Sequence, residues 1–155
     1  MNLFSVVSSG NLEQCHPYLQ EVAIRVLEII NIAVDCGHRP QVDQEKAVRE
    51  GKSKVHYPHS AHNSCPSLAF DLRPWLPQLG GNIYNTFDPK VAAIWGQLAG
   101  VVIAVGNEVA KTRAEWKRFS IIWGSDWNGD RNVLDTNFLD YGHFEVKIGG
   151  AHGNG

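Results

Sequence analysis

The sequence predicts a single α+β domain, and two observations predict it. Stretches in which apolar residues recur at helical spacing are mixed along the chain with a few short alternating or all-apolar runs, the mark of helices combined with strands. No internal repeat interrupts this order, and 155 residues with 43% hydrophobic side chains make one core without leaving room for a second domain of ordinary size. The charge balance, 14 Lys+Arg against 16 Asp+Glu, lacks the broad basic field of a nucleic-acid binder, so no nucleic-acid partner is expected.

The first predicted helix starts at His16-Pro17, where Leu19, Val22, Val26, Leu27 and Ile30 recur at helical spacing and proline suits the first turn. Ile32-Ala33-Val34 reads as a short strand that turns through Asp35-Cys36-Gly37. A second helix is expected over Val42 to Glu50, stopped by Gly51. Residues 51–66 are polar and rich in His, Ser and Pro, which predicts a long ordered loop of the kind that carries function. From Ser67 to Leu72 the pattern alternates, with Leu68, Phe70 and Leu72 on one face and Ala69 and Asp71 on the other.

After a turn at Pro74 to Gly81, Asp88-Pro89 opens a long helix to about Thr112. Its apolar run, Val91 to Val105, falls short of the roughly 20 residues that cross a bilayer, so a core helix and no membrane insertion are expected. Phe119 to Trp123 suits a central strand, and a loop dense in Asp and Asn follows to Tyr141. In the last strand, Phe144, Val146 and Ile148 should face the core, with His143, Glu145 and Lys147 opposite. The domain is expected over 1–148, with 149–155 a flexible tail.

Three cysteines, Cys15, Cys36 and Cys65, do not form the even framework of a disulfide-stapled domain, which points to a reducing compartment. Met1 to Ser5 carries no charged leader ahead of an apolar run, so no secretory signal is expected. Cys15 and Cys36 read as core residues. Cys65 stands three positions after His62 and is weighed as a soft ligand, with a half-buried thiol the better reading. His56 and His59 read as solvated loop residues.

If the strands bearing Asp71 and His143 are neighbours, His62, Asp71 and His143 gather into a two-nitrogen, one-oxygen set that suits zinc and leaves a position for water. Asp140, three residues ahead of His143, is then within reach as a general base. On spacing alone, a hydrogen-bonded histidine and a strand-edge aspartate remain the stronger reading. Asp126, Asn128, Asp130 and Asn132 place oxygens at alternate positions as in a calcium loop. Arg131 stands where an EF-hand needs glycine and Asn137 where it needs glutamate, so Ca2+ is a side reading and an Asx-turn loop the default. Trp75, Trp95, Trp116, Trp123 and Trp127 are candidates to line a groove, though most should serve the core or its rim.

Four segments in order carry a family resemblance. Residues Ser60-Ala61-His62-Asn63-Ser64-Cys65-Pro66-Ser67-Leu68-Ala69-Phe70-Asp71 resemble the S-x-H-N-x-x-P-S-x-A-x-D signature of phage-type peptidoglycan peptidases. That group lies within the zinc D-Ala-D-Ala carboxypeptidase and L-alanyl-D-glutamate endopeptidase family. Upstream, Gly37-His38-Arg39, Gln44 and Gly51-Lys52-Ser53 resemble the family's G-x-R…Q…G-x-S segment. Downstream, Trp123-Gly124-Ser125-Asp126-Trp127 and Asp140-Tyr141-Gly142-His143-Phe144-Glu145 resemble its W-G-G-D-W and D-x-P-H-F-E segments. Together they span about 70% of the chain. Ser125 for glycine, Gly142 for proline and the nine positions from His62 to Asp71 are departures that touch loop rigidity and remove no ligand.

The resemblance implies a Hedgehog/DD-peptidase-like α+β fold, with a small and mainly antiparallel sheet packed with helices. It implies one Zn2+ held by His62, Asp71 and His143, with Asp140 as general base and Arg39 steadying a substrate carbonyl or carboxylate. Ser60, Gln44 and Glu145 are implied to touch substrate or support the ligands. The implied function is a zinc-dependent endolysin hydrolysing an amide of the peptidoglycan stem peptide, with L-alanyl-D-glutamate the bond expected. A D-Ala-D-Ala carboxypeptidase is the nearest alternative; a non-catalytic wall-binding or phage structural module is the alternative from another class. A monomer is expected, made in the bacterial host cytoplasm and meeting the wall after the membrane is permeabilised.

Overall fold

The structure, a computed structural model, describes residues 3–149, so the tail expected over 149–155 lies outside the described residues except for Gly149. Its elements run α1 (Val6–Glu13), α2 (Pro17–Ile29), β1 (Ile32–Cys36), α3 (Gln41–Arg49), β2 (Ala69–Pro74), α4 (Pro89–Ala110), β3 (Phe119–Trp123) and β4 (His143–Ile148), with short 3-10 turns between them. All strand pairs are antiparallel and the sheet order is β1-β2-β4-β3. Inserting β4 between β2 and β3 pairs segments some 70 residues apart, and the register sets Asp71 directly opposite His143.

The expected helices and strands all form, and α1 is an addition. Sequence patterning missed α1 because little apolar surface holds it: Val6 and Val7 are exposed, and only Ser8 and Leu12 are buried. Polar contacts dock it instead. Ser8 Oγ accepts the Val34 N–H at 3.0 Å, and Asn11 Nδ2 donates to the Val34 carbonyl at 2.9 Å. Ser5 caps its first turn by accepting the Ser8 N–H.

The core lies between the sheet and the pair α2 and α4. Tyr18, Leu19, Val22 and Val26 from α2 meet Leu98 and Val102 of α4 above Phe70 and Phe144 of the sheet. Tyr18 donates its buried hydroxyl hydrogen to the Gly106 carbonyl at 2.9 Å. A Cβ at Gly106 would stand 2.8 Å from Ile121 Cδ1 and 3.0 Å from the Tyr18 hydroxyl, so glycine lets α4 lie this close to β3 without displacing either side chain. Helix α4, at 22 residues, extends past the apolar run and reaches membrane-spanning length and composition, but one face is buried on α2 and β3 as a core helix.

Three expectations are corrected. Ile148 is 58% exposed because β4 outruns the core there, whereas Phe144 and Val146 are buried as expected. Cys36 is half-buried rather than core, because the pairing of β1 with β2 slips between Val34 and Cys36 and sets Cys36 opposite Asp71. Cys65 is exposed rather than half-buried. Cys15 is buried, and burial pushes its thiol up to about 12.

Candidate active site

The β2–β4 register delivers Asp71 and His143, and a 3-10 turn at Ala61–Asn63 delivers His62. A reciprocal cap holds that turn: Ser60 Oγ accepts the His62 N–H at 3.3 Å and the Ser60 N–H donates to Asn63 Oδ1 at 3.0 Å. The Arg39 N–H donates to the His62 carbonyl and Asn63 Nδ2 donates to the Arg39 carbonyl, stitching the loop to the segment after β1.

His62 Nε2 lies 3.0 Å from Asp71 Oδ1 and 3.1 Å from His143 Nδ1, and the third side of the triangle is 3.2 Å. Each ring's other nitrogen is committed. His62 Nδ1 is 2.6 Å from the Gly37 carbonyl, which can only accept, and His143 Nε2 is 3.0 Å from Glu145 Oε2. With those nitrogens donating, neutral imidazoles turn three lone pairs toward one another, an arrangement that a shared proton or a metal cation relieves. Tetrahedral zinc at 2.0–2.2 Å from its ligands sets ligand-to-ligand separations of about 3.4 Å, close to this triangle. The donor set therefore fits a divalent metal.

Without a metal, the carboxylates around the rings favour a proton there, which an incoming cation would displace. Burial works against a charged ring at His62, but the charge and hydrogen bond of Asp71, aided by Cys36, outweigh it and push the group up to about 10. His143 is raised as well, burial again being outweighed by the hydrogen bonds its ring donates to Asp71 and Glu145. Asp71, despite its burial, is held well below the usual carboxylate range by the two histidines.

Around the triangle, the structure gives each expected residue a place. Arg39 Nη2 donates to Asp71 Oδ2 at 2.9 Å, so Asp71 turns one oxygen to the histidines and the other to the guanidinium. Gln44 is wholly buried, which corrects any contact with substrate: Nε2 donates to Ser53 Oγ and to the Val55 carbonyl, while Oε1 faces Arg39 and Asn63. Ser60 is occupied as the cap, and Glu145 meets His143. The Asp140 backbone donates to the Gly124 carbonyl, and a Cβ at Gly124 would stand 2.5 Å from the Asp140 carbonyl oxygen. Burial raises the Asp140 carboxyl, helped by the charge of Asp71 and opposed by His143, His62 and Arg39.

Cys36 is the neighbour that sequence reasoning missed. Cys36, His62 and Asp71 can also present ligand atoms within 4.8 Å of one another. The thiol, however, sits 3.8 Å from His62 Nδ1, the nitrogen already bound to Gly37, so the set completed by His143 is the better one. Its signal in the sequence was the Cys36-Gly37 pair, whose carbonyl anchors His62.

The oxygens that suggested calcium act as backbone caps. The Asp126 carboxylate accepts from Gly129 and Arg131, Asn128 Oδ1 from Asp130, and Asp130 Oδ1 from Asn132. This loop carries Trp127 against His143, with ring centroids 5.2 Å apart. His56 pairs with Glu45 on the surface, and His38 binds the Ser64 carbonyl.

Asp71 carries the triangle to the wall of a cleft of about 590 Å³, which Arg39, Asp140, Lys46 of α3, Lys52 just beyond it and Phe138 also line. In class, an α+β domain that aims a cation-seeking triangle and a free carboxylate into an open cleft is a hydrolase. Its lineage is more definite: the chain belongs to the phage L-alanyl-D-glutamate peptidase family, matching it over residues 2–147. Its fold is similar to the crystal structure of the Serratia marcescens L-Ala D-Glu endopeptidase ChiX. The TM-score is 0.58 at 20% identity, covering 94% of this chain and 91% of that one. At that identity the likeness speaks for the fold alone. No curated protein sequence matches the chain.

Proposed function

We propose that this peptidoglycan peptidase is a zinc endopeptidase that hydrolyses the L-alanyl-D-glutamate amide of the stem peptide. The observation that carries the metal is the compact triangle of His62 Nε2, His143 Nδ1 and Asp71 Oδ1, with sides of 3.0–3.2 Å. Those three atoms would hold the ion, and two imidazoles with one carboxylate and an open fourth position make a set that suits catalytic zinc. When bound, a divalent ion supplies Lewis acidity, polarising a carbonyl and bringing the pKa of water toward neutrality.

The chain's own groups do the rest. Asp140 lines the cleft beside the triangle and takes the proton of the attacking water, then returns it to the leaving amine. Its raised pKa suits the return, since a carboxyl that holds a proton more firmly is a better acid for a developing amine. Arg39 holds Asp71 and presents the remainder of its fork to the substrate carbonyl. Gly37 and Glu145 keep both histidines in the tautomer that faces inward. The chain acts as a monomer that waits in the host cytoplasm until the membrane is breached.

Metal analysis of the purified chain, coupled to mass spectrometry of digested sacculi, tests this. Near-stoichiometric zinc and peptides newly beginning at D-glutamate are expected, with Asp140→Ala giving none. Loss of terminal D-alanine alone would make it a carboxypeptidase, and sacculus binding without product would make it a wall-binding module.

A further inference from the structure

A second cavity, about 290 Å³, lies beside the first and shares Phe138 with it; Trp127, Asn128, Asp135, Thr136 and Asn137 complete its lining. The two differ in chemistry. The first is walled by charged groups on and just after α3, whereas the second has two aromatic rings, the Thr136 hydroxyl and the Asn137 amide, Asn128 being spent on Asp135 at 3.1 Å and on the Asp130 N–H. Trp127 is 36% exposed, yet its indole N–H is spent on the Phe138 carbonyl at 2.7 Å. It therefore offers a visitor ring surface rather than a polar edge. Phe138 lies near-parallel to it, at an interplanar angle of 26°, and already carries the Lys54 ammonium 4.7 Å from its ring centroid, so the open ring surface is that of Trp127. Among the described residues, Thr136 and Asn137 spend no side-chain polar atom on an internal hydrogen bond.

Aromatic surface with neutral donors and acceptors around it recognises a pyranose: ring C–H groups lie on the aromatic carbon, and hydroxyl and acetamido groups meet the amides. In the wall polymer the L-alanine of the stem peptide is amide-linked to the lactyl group of an N-acetylated amino sugar. That sugar is thus one residue from the L-Ala–D-Glu bond, and Trp127 is one ring from His143. Resting on the peptidase function above, we infer that the Trp127–Asn137 cavity is a subsite for the N-acetylmuramic acid that precedes the scissile bond. The substrate then lies with its sugar at Trp127 and its carboxylate-bearing peptide end toward Lys46 and Lys52.

The test compares kcat/KM of the metal-loaded chain on two substrates with one peptide sequence, one carrying N-acetylmuramic acid on its L-alanine and the other a plain acetyl group. The wild-type chain should favour the sugar-bearing substrate by about tenfold, mainly through KM. Asn137→Ala, at an exposed position, and Trp127→Ala should bring that ratio toward one. The ratio is the readout because Trp127 touches His143 and its loss also disturbs the site. A wild-type ratio near one overturns the subsite and leaves the peptidase intact. Cleavage of neither substrate overturns the peptidase function, and NMR titration with N-acetylmuramic acid then decides the subsite: shifts centred on Trp127 and Asn137 sustain it, and unchanged spectra overturn it.

Discussion

Glu145 Oε2 sits 3.0 Å from His143 Nε2 and decides which nitrogen of that ring faces the cleft. The two residues are separated by one position on β4, so both project from the same side of the strand, and the carboxylate holds the proton on the outer nitrogen. Removing it frees the ring to tautomerise and turn. Glu145→Ala is expected to weaken binding of the proposed zinc ion by about 10–100-fold, measured by chelator competition, while circular dichroism stays native. Unchanged affinity would mean that His143 binds through the other nitrogen.

Metal removal should also weaken the fold. Without a metal, His62, His143 and Asp71 stand 3.0–3.2 Å apart in a largely buried place and are joined by a proton alone. Zinc at about 100 times its Kd contributes roughly 2.7 kcal/mol, which for a chain of this size is about 5–10 °C in Tm. Scanning calorimetry with and without a chelator should show that drop, and Asp71→Asn, which removes the anionic ligand, should abolish most of the difference. Equal Tm values in the wild-type chain would count against a metal at this position.

The strands and helices were legible from local pattern, whereas His62, Asp71 and His143 stood out as a set only through the family resemblance, since spacing alone favoured hydrogen-bonded residues. Asp71 and His143 are polar positions in alternating strands, and Ser60 is a cap three residues ahead of Asn63. What stayed hidden depended on contacts between distant segments. Helix α1 is held by hydrogen bonds to Val34, which leave no apolar periodicity to read. The position of Cys36 at the site follows from a register slip in β1, and the burial of Gln44 from how the 51–66 loop folds over α3. Arg39 read as a group for substrate, and its pairing with Asp71 across 32 residues could be seen only in three dimensions.

Two glycines separate close packing from free space. A Cβ at Gly37 would stand 2.1 Å from the Asn11 carbonyl oxygen and 3.1 Å from Cys15 Sγ, so the backbone that anchors His62 must move. Gly37→Ala should destabilise by about 2 kcal/mol or more and weaken metal binding. Gly10, inside α1, has nothing within 4 Å of its would-be Cβ, and Gly10→Ala should stabilise by about 0.5–1 kcal/mol through helix propensity alone. Urea denaturation of the pair checks both signs, and similar shifts in the two variants would refute the packing argument.

His16 links stability to pH away from the site. It caps α2, with Nδ1 accepting the Tyr18 N–H at 3.2 Å, and its ring packs on Phe119 and Trp116 at centroid distances of 5.5 and 6.5 Å. Burial lowers its pKa from 6.5, because the charged ring is poorly solvated there; protonation at Nδ1 would also destroy the cap. A folded-state pKa below the unfolded value means stability that is fully present above pH 6.5 and lost as pH falls through the lowered value. His16→Asn keeps a capping oxygen without a titrating group. Against pH, the Tm of the wild-type chain should fall more steeply below 6.5 than that of the variant, both measured in chelator so that metal release does not contribute. Parallel curves from pH 7 to about 5 would show that His16 stays uncharged throughout, or that its cap contributes nothing to α2.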